Sequence, residues 1–125
     1  MNLNGKNILI TGGTGSFGRK FVEIVLKEYS PKKLIVFSRD ELKQHEMRQI
    51  FPDRADNPMR YFIGDIRDAD RLHRAMQNVD IVVHAAALKR VDACEYNPLE
   101  AINTNISGGT NVINAALDSG VKNVV

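Results

Sequence analysis

An apolar run, Ile8-Leu9-Ile10, breaks after Thr11 into Gly12-Gly13-Thr14-Gly15-Ser16-Phe17-Gly18, and a helical pattern follows. No other stretch limits the fold so sharply. Gly12, Gly15 and Gly18 fit G-x-x-G-x-x-G, and Gly13, Gly15 and Gly18 also fit G-x-G-x-x-G. A glycine-rich turn between a buried strand and a helix brings bare backbone N–H groups up to a diphosphate, and the positive end of the helix dipole stabilises that anion. Such spacing is common by itself, so its surroundings decide what it means.

Those surroundings alternate short apolar runs with helical patterns. Strands are predicted at Asn7 to Thr11, Lys33 to Phe37, Arg60 to Ile63 and Asp80 to Ala85, with a fifth beginning at Lys122. They are apolar or β-branched without strict alternation, as expected of strands buried on both faces of a parallel sheet. Helices are predicted between them. Phe17 to Tyr29 would bury Phe21, Ile24 and Val25; Arg39 to Phe51 would bury Leu42, Ile50 and Phe51. Asp68 to Gln77 repeats through Leu72 and Ala75/Met76, and Pro98 to Ser119 through Leu99, Ile102, Ile106, Ile113 and Leu117. Asn97-Pro98 reads as a helix start, Ser38-Arg39-Asp40-Glu41 spells a capping box, and Gly120 sits where a helix should stop. The fold class is therefore α/β, a doubly wound Rossmann-type parallel sheet truncated at the start of its fifth strand. Residues 1–125 form one domain at most, and the break inside a strand points to a piece of a longer protein.

Composition excludes several classes. With 43% hydrophobic residues the chain can build a core, and its 17 basic against 15 acidic residues leave no basic block for nucleic acid. The single cysteine, Cys94, excludes an internal disulfide framework and suits a reducing compartment. No apolar run approaches the ~20 residues of a membrane span. The expectation is a cytoplasmic protein without nucleic-acid or membrane partners.

The strand–turn–helix context raises the glycine loop to a cofactor site. Thr14, Gly15, Ser16 and Phe17 would line the diphosphate, and Gly18 would permit close helix–sheet packing. About 20 residues on, NAD-binding domains place an acid for the ribose 2′-hydroxyl. Here that position is Ser38, followed by Arg39 and, one turn later, Lys43. A hydroxyl, a guanidinium and an ammonium suit a 2′-phosphate, which argues for NADP. The competing reading makes Ser38 a helix cap and leaves Arg39 and Lys43 solvated. Asp65 could accept from the adenine amino group with Ile66 against the ring, or simply be another helix-start acid. Ala85 and Ala86 are small enough for a flat cofactor to approach the backbone, and Lys89 would project near diphosphate or substrate. His84 reads as a core histidine. His45, His73 and Cys94 receive no function and no metal site is expected, while Asn105 could brace a strand end.

Thr11-Gly12-x-x-Gly15-x-x-Gly18, Gly64-Asp65-Ile66, His84-Ala-Ala-Ala87-Leu88-Lys89 and Asn105-Ile-Ser-Gly-Gly-Thr-Asn111 resemble the extended short-chain dehydrogenase/reductases that act on nucleotide sugars. Ser38-Arg-Asp-Glu-Leu-Lys-Gln44, with Ala87-Leu-Lys-Arg-Val91 and Glu95-Tyr-Asn-Pro98, resembles more narrowly the inverting UDP-N-acetylglucosamine 4,6-dehydratases of bacterial polysaccharide biosynthesis. The resemblance covers essentially the whole chain. It implies NADP at Gly12, Thr14 to Gly18, Ser38, Arg39, Asp40, Glu41, Leu42, Lys43, Asp65, Ile66, Ala85, Ala86 and Lys89, with Lys89 also touching the nucleotide-sugar substrate. It implies a redox-neutral elimination: hydride leaves sugar C4, water departs from C6, the hydride returns to C6, and protonation inverts C5. The family's catalytic Thr-Asp-Lys and Tyr-x-x-x-Lys groups have no counterpart here, so no catalytic residue is assigned and the chain alone is expected to be inactive. Family members often form hexamers or larger assemblies, which leaves a homo-oligomer open. Two other functions share these motifs: a UDP-sugar 4-epimerase, and a non-catalytic NADP-binding sensor or scaffold.

Overall fold

A computed structural model describes residues 2–85 and 109–125. The elements run β1 (Asn7–Thr11), α1 (Ser16–Glu28), β2 (Lys33–Ser38), α2 (Glu41–Ile50), β3 (Met59–Ile63), α3 (Ala69–Ala75) and β4 (Ile81–His84). A helical stretch at 109–118 and β5 (Asn123–Val124) follow. The strands form one parallel sheet in the order β3-β2-β1-β4-β5. The chain winds outward from β1 in one direction, then returns to β1's other side. The gap above the carboxyl ends of β1 and β4 is the switch point where such sheets take ligands.

Side-chain alternation along the strands feeds two cores. Ile8, Ile10, Leu34, Val36, Ile81 and Val83 meet Val22 and Val25 of α1 and Met47 of α2 on one face. Leu9, Phe37 and Val82 meet Leu72 and Ala75 of α3, with Val112, Ala115 and Ala116, on the other. Two layers of helix thus sandwich the sheet, as the doubly wound reading requires. Burying each Val or Leu contributes roughly 1.5–3 kcal/mol, so strands covered on both faces dominate the stability of the unit.

The helix faces correct the sequence expectation. α1 buries Gly18, Val22 and Val25, and Ile24 is exposed. A Cβ at Gly18 would stand 2.3 Å from the Gly13 carbonyl oxygen, so this glycine lies flat against the loop and sets the helix's rotation. At about 100° per residue, positions 22 and 25 then share its face and 24 does not. α2 buries Gln44 and Met47, while Leu42, at 66% exposed, and Ile50 face outward. In the 109–118 stretch Val112, Ala115 and Ala116 are buried, and Ile113 and Leu117 are exposed. Burial on these helices follows rotation against the sheet and not side-chain bulk. The left-handed Gly120 (φ +74°) lies just beyond this stretch, as expected of a helix stop. The predicted helix start at Asn97-Pro98, with Leu99, Ile102 and Ile106, lies outside the described residues.

Candidate functional site

The glycine loop connects β1 to α1 at the switch point, and its glycines do different work. Gly12 has φ +67°, a conformation that side chains resist, and its N–H donates to the Phe37 carbonyl at 2.9 Å. Gly13 and Gly18 are crowded: a Cβ on Gly13 would lie 2.9 Å from Val36 Cγ1. Gly15 differs. Its φ is an ordinary −77°, and an added Cβ would meet only the Gly12 oxygen at 3.6 Å. Among the described residues nothing crowds a side chain at that position.

The helix that starts at Gly15 is also uncapped. α2 and α3 are each closed by an aspartate, Asp40 accepting from the Lys43 N–H at 3.0 Å and Asp68 from the Arg71 N–H at 3.1 Å. No side chain caps α1, and its first turn carries no acid. A cap contributes about 1 kcal/mol. α1 alone among these three forgoes it, leaving a positive helix end without a side-chain cap among the described residues.

Asp40, not Ser38, is therefore the cap of α2, which corrects the capping-box expectation. Ser38 ends β2, and its side chain turns inward at 3% exposed. Its Oγ accepts from the Asp40 N–H at 3.1 Å and shares a 3.2 Å hydrogen bond with the buried Thr14 hydroxyl. Beta-strand end and glycine loop are thus tied together by two small hydroxyls. Arg39 and Lys43 stay at the surface. Phe17 is half exposed and stacks on Phe21.

Asp65, in the turn after β3, is held by arginines. Its Oδ1 accepts from the Arg67 backbone N–H at 2.9 Å, and its carboxylate takes the Arg67 guanidinium at 2.6 to 3.1 Å. Arg39 approaches to 3.7 Å from the β2 side. Hydrogen bonding from Arg67 leads the causes that hold this carboxyl down at about 2. Ile66 packs partly buried against the second core, and the Asn111 amide donates to the Ile66 and Arg67 carbonyls at 3.0 and 3.2 Å. Asn111 thereby braces the Asp65 turn. The sequence offered only a motif position for it.

Ala85 is buried after β4, its N–H donating to the Thr11 carbonyl at 3.1 Å. His84 bonds Thr11 Oγ1 through Nδ1 at 2.7 Å, and burial pushes its pKa down, consistent with a neutral structural histidine. Ala86, Lys89, Cys94 and Asn105 lie outside the described residues. Among the described residues no group of three His, Cys, Asp or Glu could hold a metal, and no helix is long and apolar enough to cross a membrane.

Sheet order, switch point and glycine turn define a Rossmann-type α/β fold of the short-chain dehydrogenase/reductase kind. The chain belongs to the family described as "Polysaccharide biosynthesis protein", which matches residues 8–125. It is 58% identical over 98% of its length to the inverting UDP-N-acetylglucosamine 4,6-dehydratase of Campylobacter jejuni, of which it covers 36%. Pen from Bacillus thuringiensis superposes with a TM-score of 0.89 at 49% identity, over 99% of this chain and 38% of that one. DesIV, a dTDP-glucose 4,6-dehydratase of Streptomyces venezuelae solved with NAD bound, gives 0.77 at 31%, over 94% and 38%. UDP-glucose 4-epimerases of Rickettsia are also relatives. The chain thus spans little more than a third of the lengths of the proteins it matches.

Proposed function

We propose that this chain binds NADP, as the cofactor-binding part of a C5-inverting UDP-N-acetylglucosamine 4,6-dehydratase that serves surface-polysaccharide synthesis in the bacterial cytoplasm. The observation that carries the reading is Gly15, a glycine that the packing of the described residues does not need, at the start of α1, which no side chain caps. A diphosphate there would accept from first-turn N–H groups and meet the positive helix end. The similarity to the Campylobacter jejuni dehydratase supplies the reaction and the sugar.

NADP is preferred over NAD because no carboxylate stands at the end of β2. Arg39 and Lys43 are exposed cations beside that position, and the Ser38 side chain turns inward. Asp40 and Glu41 take part through the backbone of the turn, and Leu42 through its exposed side chain. Asp65 and Ile66 form the adenine side, with the Asp65 carboxylate exchanging an arginine contact for the base. When bound, the nicotinamide supplies a reversible hydride acceptor. The chain's own residues bind and orient it, and the family resemblance assigns Lys89 to the nucleotide sugar. Acid–base work at C5 and C6 needs groups within hydrogen-bond reach, and no residue of the chain is assigned to it.

Calorimetric titration with NADP and NAD tests the reading. A preference for NADP of at least about tenfold, the equivalent of ~1.4 kcal/mol, is expected. Selectivity for NAD would overturn the NADP reading. The chain alone should form no 4-keto-6-deoxy sugar from UDP-N-acetylglucosamine, and product in that assay would overturn the assignment of catalysis to other residues.

A further inference from the structure

We propose that Gln44 is a positioning residue for recognition of the cofactor's 2′-phosphate, an inference that rests on the NADP reading above. Gln44 lies on the inward face of α2, 1% exposed, beside Met47. Its Nε2 donates to the Ser38 carbonyl at 3.1 Å and to the Phe62 carbonyl at 3.2 Å. The Ser38 carbonyl also accepts from the Gly64 N–H at 3.0 Å. One amide therefore crosslinks β2 and β3 near the ends from which the Arg39 and Asp65 turns depart.

The same residue fastens the first turn of α2. Its backbone N–H donates to the Asp40 carbonyl at 3.0 Å, and Asp40 closes on the Lys43 N–H. Arg39 and Lys43 are thus carried on a turn anchored from below by Gln44. Stability alone does not explain a glutamine here. Its Oε1 is buried without a hydrogen-bond partner, which is costly, and an apolar side chain of similar volume would avoid that cost. The amide instead fixes where two cations stand, and charge-assisted hydrogen bonds demand separations of about 2.7–2.9 Å.

Gln44→Met keeps the volume and removes both donated bonds. In the full chain, NADP affinity should fall at least about fivefold while NAD affinity moves less than about twofold. Gln44→Met should add nothing further in an Arg39→Ala, Lys43→Ala background. Without cofactor, hydrogen exchange at the Lys43 and Gly64 amides should quicken while β1 amides hold their protection. Equal loss of NADP and NAD, unchanged NADP affinity, or unchanged exchange at both amides would overturn the inference. If Gln44→Met does not fold, Gln44→Leu, which also removes both donated bonds and adds no charge, is judged by the same criteria. A parent chain without NADP preference would remove the NADP reading and this inference with it; failure of the variant arm alone removes only the inference.

Discussion

Gly15 and Gly18 stand three positions apart, and the structure separates their roles. Gly18→Ala forces a Cβ onto the Gly13 backbone, so destabilisation of at least ~2 kcal/mol is expected from denaturant unfolding. Gly15→Ala meets no such obstacle, and the loss of a glycine N-cap costs under ~1 kcal/mol. Its effect should fall on dinucleotide affinity, with a loss of about tenfold or more in titration. Equal stability losses in the two variants would show that the loop is only structural. Asp65 gives a second residue-scale test. Its folded pKa, near 2, lies below the ordinary 3.8, so its arginine contacts favour the fold above that ordinary value and cease to do so as pH falls through about 2. Carboxyl NMR should follow this titration, and Arg67→Ala should return it toward 3.8. An unchanged titration in that variant would show that Arg67 is not the cause.

Among the elements, α2 is the one on which the NADP reading turns. Asp40→Ala should cost about 1 kcal/mol by removing its cap, measured by thermal or denaturant unfolding. Hydrogen exchange at the Lys43 amide should quicken in the same variant, and an unchanged rate would show that Asp40 is not the cap. On the opposite face of the sheet, His73 joins α3 to the 109–118 stretch. Its Nδ1 meets the Ala69 carbonyl at 2.7 Å and its Nε2 the Asp118 carboxylate at 2.8 Å. Both partners accept, and an imidazolium, with a proton on each nitrogen, can donate to both at once. The Asp118 hydrogen bond is the leading cause that raises the His73 pKa above 6.5. The contact therefore favours the fold fully below 6.5 and is lost as pH rises through the raised value. Asp118→Asn should lower the NMR-measured value, and a His73 pKa at or below 6.5 in the parent chain would contradict the bridge. Strand positions were legible in the sequence because runs such as Ile8-Leu9-Ile10 have few alternatives to burial on both faces. The helix faces were less legible: Leu42 reads as core, and only the sheet contact fixes the rotation that buries Gln44 in its place. The bracing role of Asn111 was not legible beyond its motif position, since its partners, the Ile66 and Arg67 carbonyls, are distant in sequence.

At the scale of the whole molecule, the winding outward from β1 brings three chain-distant pieces to one rim: the glycine loop, the Arg39–Lys43 turn and the Asp65 turn. Strand–helix alternation was enough to predict that convergence. It could not predict how tightly the pieces interlock, because the Ser38–Thr14 and Arg39–Asp65 contacts depend on side-chain directions. The central claim, that this rim holds NADP by the α1 end and the α2 turn, is tested most directly by amide NMR. Titrating the chain with NADP should shift the Gly12 to Gly18 and Arg39 to Lys43 amides most. NAD should shift the first group and leave the second nearly still. Shifts centred elsewhere, or an Arg39–Lys43 response indifferent to the 2′-phosphate, would contradict it.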